Sequence, residues 1–140
     1  MVNNHRAPGE FPRLPKKSPP LNVLVVDDEP LIRWSVSETL NDCGHQVVEC
    51  GDAQSARNAV RDASPPFDVI VLDLRLPDSE DLSLLSSLRK AAPGTQVILM
   101  TAYGSPEIVS AARDLGAFKV LSKPFEVQDI ARFVDEAAHR

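Results

Sequence analysis

The 140-residue chain holds only two cysteines, Cys43 and Cys50, with no CxxC and no Cys/His cluster. That excludes a disulfide framework and a zinc site, and leaves two packed or surface thiols suited to a reduced cytoplasm. No apolar run nears the length that spans a bilayer, and Met1 to Pro20 lacks the continuous apolar stretch of a secretory signal. Neither a Walker-type loop nor GxGxxG occurs, so nucleotide binding has no motif to rest on. Beyond Pro20 there are 11 basic and 19 acidic residues, a balance that argues against direct nucleic-acid binding by this body.

The composition that remains, 43% hydrophobic and 25% charged, fits one globular domain. Residues 1–20 carry Pro8, Pro12, Pro15, Pro19 and Pro20, and four basic side chains against the single acid Glu10. They have no hydrophobic periodicity and read as a flexible, Pro-rich basic leader, with the folded domain over residues 21–140.

From Leu21 two patterns alternate. β-Branched runs appear at "NVLVV" (22–26), "QVVEC" (46–50), "DVIVL" (68–72), "QVILM" (96–100) and "AFKVL" (117–121). Between them lie stretches of helical spacing, so the order is β-α five times over, which predicts an α/β fold with a parallel sheet covered on both faces. The apolar first, third and fourth runs suit its centre, and the more polar "QVVEC" suits an edge.

Helix punctuation agrees with this reading. Pro30 opens a helix carrying Ile32, Val36 and Leu40 inward, and Gly44 closes it. Trp34 falls on that helix's surface or boundary, where a structural role is expected. Asp52 is placed to cap a second helix that buries Ala56 and Val60 and stops at Pro65–Pro66. A third is expected from about Glu80 to Ala92, with Leu85 and Leu88 inward. Ser105–Pro106 opens a fourth, in which Ile108, Ala112 and Leu115 follow before Gly116, and a fifth begins near Glu126 and buries Val127, Ile130 and Val134.

In an open parallel sheet, ligands bind beyond the carboxyl ends of the strands. Those ends supply Asp27 and Asp28 after the first strand, Asp73 after the third, Thr101 after the fourth and Lys123 after the fifth. With these strands adjacent, the side chains converge. Crowded carboxylates repel, so they protonate or bind a cation, and a hard divalent ion with oxygen ligands such as Mg²⁺ is the natural partner. Taken singly, each residue has a plainer reading. Asp28 could cap the first helix, Asp27 and Asp73 could be loop or turn residues, and Thr101 and Lys123 could be ordinary strand-end and surface groups.

The ordered set "VLVVDDEP", "VIVLDLRLP", "VILMTA" and "GAFKVLSKPF" resembles the receiver domain of bacterial two-component response regulators over residues 22 to about 138. "DDEPLIRWS" further resembles receivers attached to enhancer-binding transcription activators. The resemblance implies a single doubly wound, flavodoxin-like sheet with strand order 2-1-3-4-5. It implies Asp73 as the acceptor of a phosphoryl group from a histidine kinase or histidine phosphotransfer protein. Mg²⁺ would be held by Asp28 and Asp73 directly, by Asp27 with water, and by the backbone carbonyl of Arg75. Lys123 would pair with one phosphate oxygen and Thr101 with another, beside the small Ala102. A cis Lys123–Pro124 bond is also implied, as is a homodimer through the fourth helix, fifth strand and fifth helix. Such a module is a cytoplasmic phosphoacceptor rather than an enzyme that turns over a separate substrate.

The chain departs from the family pattern at two places. Val120 stands where an aromatic residue usually couples to the threonine, which implies a switch relying on backbone shifts of the fourth helix and fifth strand. Asp81 replaces a usual glycine, near a helix start where an acid is favourable. Arg75 and Tyr103, each two positions beyond a site residue, are large enough to shade an acyl phosphate from water. Two other functions remain to be weighed. A partner-binding receiver that is never phosphorylated would not need the intact acidic set. A haloacid-dehalogenase-type phosphatase would need a second acid two residues past the nucleophile, where Arg75 stands. Within these 140 residues no room is left for an output domain after the fifth helix, which fits either a stand-alone receiver or a piece of a longer regulator.

Overall fold

The computed structural model describes residues 19–139; the expected leader lies outside them except for Pro19 and Pro20, both exposed. Five strands, β1 (Asn22–Val26), β2 (Gln46–Cys50), β3 (Val69–Asp73), β4 (Gln96–Thr101) and β5 (Lys119–Ser122), alternate with five helices. These are α1 (Pro30–Asp42), α2 (Ala53–Asp62), α3 (Ser83–Ala91), α4 (Pro106–Asp114) and α5 (Val127–Ala138). The sheet is wholly parallel in the order β2-β1-β3-β4-β5, as expected, with "QVVEC" at one edge.

The sheet is double-sided because successive strand side chains point to opposite faces. Leu24, Val26, Ile70, Leu72, Val97 and Leu99 pack on one face with Ala53 and Ala56 of α2, Leu84, Leu85 and Leu88 of α3, and Ala112 of α4. Val23, Val25, Val69, Val71, Ile98 and Met100 pack on the other with Val36 and Leu40 of α1 and Ile130 and Val134 of α5. Val120 joins the first cluster as a half-buried aliphatic residue. The three central strands are sealed on both sides, so the backbone that carries the site residues is rigid.

Several boundaries differ from the sequence expectation. β5 begins at Lys119 rather than Ala117, because Gly116 takes a positive φ of 101° and Ala117 N–H donates back to the Ala112 carbonyl. That closure ends α4 at Asp114, one residue before Leu115, which is 38% exposed. α3 starts at Ser83, three residues later than expected. A turn bridging Leu76 and Ser79 uses the intervening chain, and Asp81 Oδ1 then accepts from Ser83 N–H at 2.9 Å. Asp81 thus does serve the helix start, from just outside it. Asp28 is not the cap of α1: the N-cap is Glu29, which makes no side-chain cap.

The N-terminus of α2 is held twice. Asp52 Oδ1 accepts from Ser55 N–H at 2.7 Å, the expected cap. Asp78, from the loop after β3, accepts from Ala53 N–H at 2.7 Å and Gln54 N–H at 3.0 Å. The second contact ties the loop that follows Asp73 to the neighbouring helix.

Candidate functional site

The carboxyl ends of β1, β3, β4 and β5 lie side by side, with Val26 opposite Leu72, Asp73 opposite Met100 and Thr101 opposite Ser122. Asp73 and Thr101 are the last residues of their strands rather than the first of their loops, and both are buried, as is Asp27. Asp27 N–H donates to the Cys50 carbonyl and Lys123 N–H to the Thr101 carbonyl, so the flanking residues are also fixed by main-chain bonds. The Lys123–Pro124 peptide is cis, as expected.

Lys123 is the centre of the arrangement. Its Nζ donates to Asp27 Oδ2 at 3.1 Å, Glu29 Oε1 at 3.0 Å and Asp73 Oδ2 at 3.2 Å. Each buried carboxylate is also held by a backbone N–H. Asp27 Oδ1 accepts from Glu29 at 2.9 Å and Asp73 Oδ1 from Arg75 at 3.2 Å. Burial, then the Asp27 charge, pushes the Asp73 carboxyl up to about 6, with the Lys123 ammonium opposing. Burial works to lower the Lys123 pKa, but the Glu29 hydrogen bond and the charges of Asp73 and Asp27 outweigh it. The ammonium is held above the usual lysine range.

A cleft of about 330 Å³ opens over Asp73, lined by Asp28, Glu29, Arg75, Pro77, Ala102 and Lys123 among others. Asp28 is exposed on its wall. Among the described residues, the acids whose oxygens gather within 4.8 Å of one another are Asp27, Glu29 and Asp73. The sequence reading placed Asp27 and Asp73 there but overlooked Glu29, whose only signal was being the third acid of "DDEP". It also overlooked Arg33, which donates to the Asp27 carbonyl at 2.7 Å and to Glu49 at 3.2 Å, bracing the loop after β1.

Thr101 Oγ1 accepts from Tyr103 N–H at 3.2 Å, which leaves its own hydroxyl proton available to another acceptor. Tyr103 is 76% exposed, and the Arg75 guanidinium, which lines the cleft, stands 6.0 Å from its ring centre. The donor set is oxygen throughout, and the acids are crowded enough to favour a cation. This chemistry fits a hard divalent ion such as Mg²⁺ rather than a soft metal. Among the described residues, no sulfur or imidazole lines the cleft.

A family model described as a response regulator receiver domain matches residues 23–135. The chain is 40% identical over 111 residues to the probable transcriptional regulatory protein TcrX of Mycobacterium tuberculosis, covering 79% of this chain and 47% of that protein. It is 33% identical over 116 residues to the DNA-binding transcriptional regulator NtrC of Proteus hauseri, covering 83% of this chain and 24% of that one. The solution structure of the beryllofluoride-activated NtrC4 receiver domain dimer superposes with a TM-score of 0.78 at 30% identity, covering 84% of this chain and 96% of that one. The chain therefore spans about half the length of the first relative and about a quarter of the second.

Proposed function

The chain belongs to the response regulator receiver domain family of two-component signalling, and from that premise we propose that Asp73 accepts a phosphoryl group in a Mg²⁺-dependent reaction. The donor is a sensor histidine kinase or a histidine phosphotransfer protein, and the modification changes which surfaces the domain offers to partners. The observation that carries this reading is the Lys123 ammonium, held within 3.2 Å of both Asp27 and Asp73 at the floor of an open cleft.

The chemistry follows from the side chains. An Asp73 carboxylate oxygen bonds to phosphorus as the donor's P–N bond breaks, and the electron pair returns to the imidazole, which takes up a proton. Burial in the strand end aims the nucleophile, as in-line transfer requires. Lys123 and the Thr101 hydroxyl are the charge-assisted donors for two phosphoryl oxygens. Asp28 and Asp73, with Asp27 and the Arg75 carbonyl, would hold Mg²⁺, which offsets negative charge on the phosphoryl group and the carboxylates. In this reading the domain assists its own modification and is not a turnover enzyme on a separate substrate. It works in the cytoplasm and does not itself bind nucleic acid.

The donor's approach is supported by an apolar surface beside the cleft. Leu31 is 75% and Trp34 58% exposed on α1, and a cavity of about 530 Å³ lies between Leu31, Ile32, Ser35, Pro124, Phe125 and Val127. A helix carrying a phosphohistidine can lay its apolar side there. Replacing Leu31 and Trp34 together by serine is expected to slow transfer from a phosphorylated histidine protein at least about tenfold, the loss of one good apolar anchor. Uptake from acetyl phosphate should change far less. Equal slowing with both donors would contradict this docking surface.

A homodimer through α4, β5 and α5 is proposed as the phosphorylation-dependent partner surface. Phe133 of α5 lies 4.5 Å from both the Lys119 ammonium and the Arg132 guanidinium there, giving an apolar centre ringed by charge. The rim residues contribute to persistence of the phospho-form. The double substitution Arg75→Ala with Tyr103→Ala is expected to shorten its lifetime several-fold by admitting water. An unchanged hydrolysis rate would make both mere rim residues.

A further inference from the structure

An ammonium has three donors and no acceptor. In this structure the Lys123 ammonium has three carboxylate partners at 3.0–3.2 Å, so a phosphoryl oxygen on Asp73 finds no free donor there. One partner must yield. Asp27 is fully buried, and its second oxygen is fixed by Glu29 N–H. Asp73 is buried, and with the phosphoryl on Oδ1 its Oδ2 remains a carbonyl acceptor for Nζ. The Glu29 side chain is 58% exposed, so water can solvate its carboxylate as soon as it turns away. Its backbone meanwhile stays pinned to Asp27. Left in place, the Glu29 carboxylate would also stand next to the negative charge of a phosphoryl group.

We propose that Glu29 is a positioning residue that occupies the third donor of Lys123 in the unmodified protein and yields it to a phosphoryl oxygen when Asp73 is modified. The proposal rests on the phosphoacceptor reading of Asp73 and adds a competitor to it. Glu29 then sets how readily the ammonium is recruited, and its removal favours the modified state.

The test is a titration with beryllofluoride, a phosphoryl mimic, at saturating Mg²⁺, using the wild-type chain, Glu29→Gln and Glu29→Asp. Glutamine removes the charge, whereas aspartate keeps it on a side chain too short to reach Nζ. An exposed ion pair of this kind corresponds to roughly a two- to fivefold change in affinity, so both variants are expected to bind the mimic that much more tightly. Unchanged affinity in both would make Glu29 a solvated surface acid. Weaker mimic binding together with weaker Mg²⁺ binding would make it a metal ligand. A gain in Glu29→Gln alone would make the effect one of long-range charge. Each of these outcomes overturns the proposal.

A wild-type protein that ignores the mimic would refute the phosphoacceptor reading instead. The tether is then decided in the unmodified protein by the Lys123 ammonium signal in ¹⁵N-correlated spectra. That signal should be most protected from exchange in the wild type and clearly less so in Glu29→Asp, where Nζ keeps only Asp27 and Asp73; Glu29→Gln, whose amide oxygen is still an acceptor, should fall between them. Protection in Glu29→Asp equal to that of the wild type overturns the tether independently.

Discussion

Asp73→Asn is expected to make the metal-free protein about 2–3 kcal/mol more stable than the wild type at pH 8. The Asp73 carboxyl sits at about 6 in the folded protein against an ordinary value of 3.8. A rise of this size corresponds to ~3 kcal/mol. The sign follows from proton binding: the folded state holds the Asp73 proton more tightly than the unfolded state does. The group's favourable contribution is therefore complete below about pH 4 and disappears as pH rises through about 6. Above that, the fold must keep a buried carboxylate beside Asp27. Asparagine keeps an acceptor for Lys123 and removes the charge. Denaturant unfolding of both proteins from pH 4 to pH 8 checks the expectation. The difference should shrink below about 1 kcal/mol at the acid end. A variant less stable than the wild type at pH 8 would mean that Asp73 is a structural anchor rather than a strained reactive group.

Lys123→Met has the opposite expected sign. The ammonium is the shared partner of Asp27, Glu29 and Asp73, two of them buried. Removing the counter-charge from buried carboxylates typically costs ~3 kcal/mol or more, because the remaining like charges stay desolvated and repel. The loss should be largest at high pH, since Asp73 escapes the repulsion by protonating as pH falls. Mg²⁺ should recover more stability in Lys123→Met than it adds to the wild type, because the ion supplies the counter-charge that the ammonium had provided. Melting temperatures with and without Mg²⁺ measure both effects. Equal melting temperatures for the two metal-free proteins would contradict the central place given to Lys123.

These expectations depend on features of unequal legibility in the sequence. The sheet was readable because its central strands are sealed on both faces, which demands near-continuous runs such as "VIVL" and leaves little ambiguity of type. The residues at the strand ends were readable because a parallel sheet gathers those ends on one edge, whatever the loops do. Loop-built features were not readable. The late start of α3 depends on the Leu76–Ser79 turn and on Asp78 reaching across to α2. The exposure of Leu115 depends on how Gly116 closes α4. Glu29 was missed for a related reason. Its role depends on the reach of a side chain toward Lys123, 94 residues away in the chain, and no local pattern encodes that distance. Its exposure and its place in "DDEP" look the same whether or not it meets the ammonium.

The central claim is that Asp73 is the oxygen nucleophile of a phosphoryl transfer. The most direct measurement is incubation with acetyl phosphate and Mg²⁺, followed by borohydride trapping of any acyl phosphate and localisation of the reduced residue by mass spectrometry. The account predicts modification at Asp73 alone, absent in Asp73→Asn and absent when the divalent ion is chelated. Modification at any other residue, or none in the presence of Mg²⁺, would contradict it.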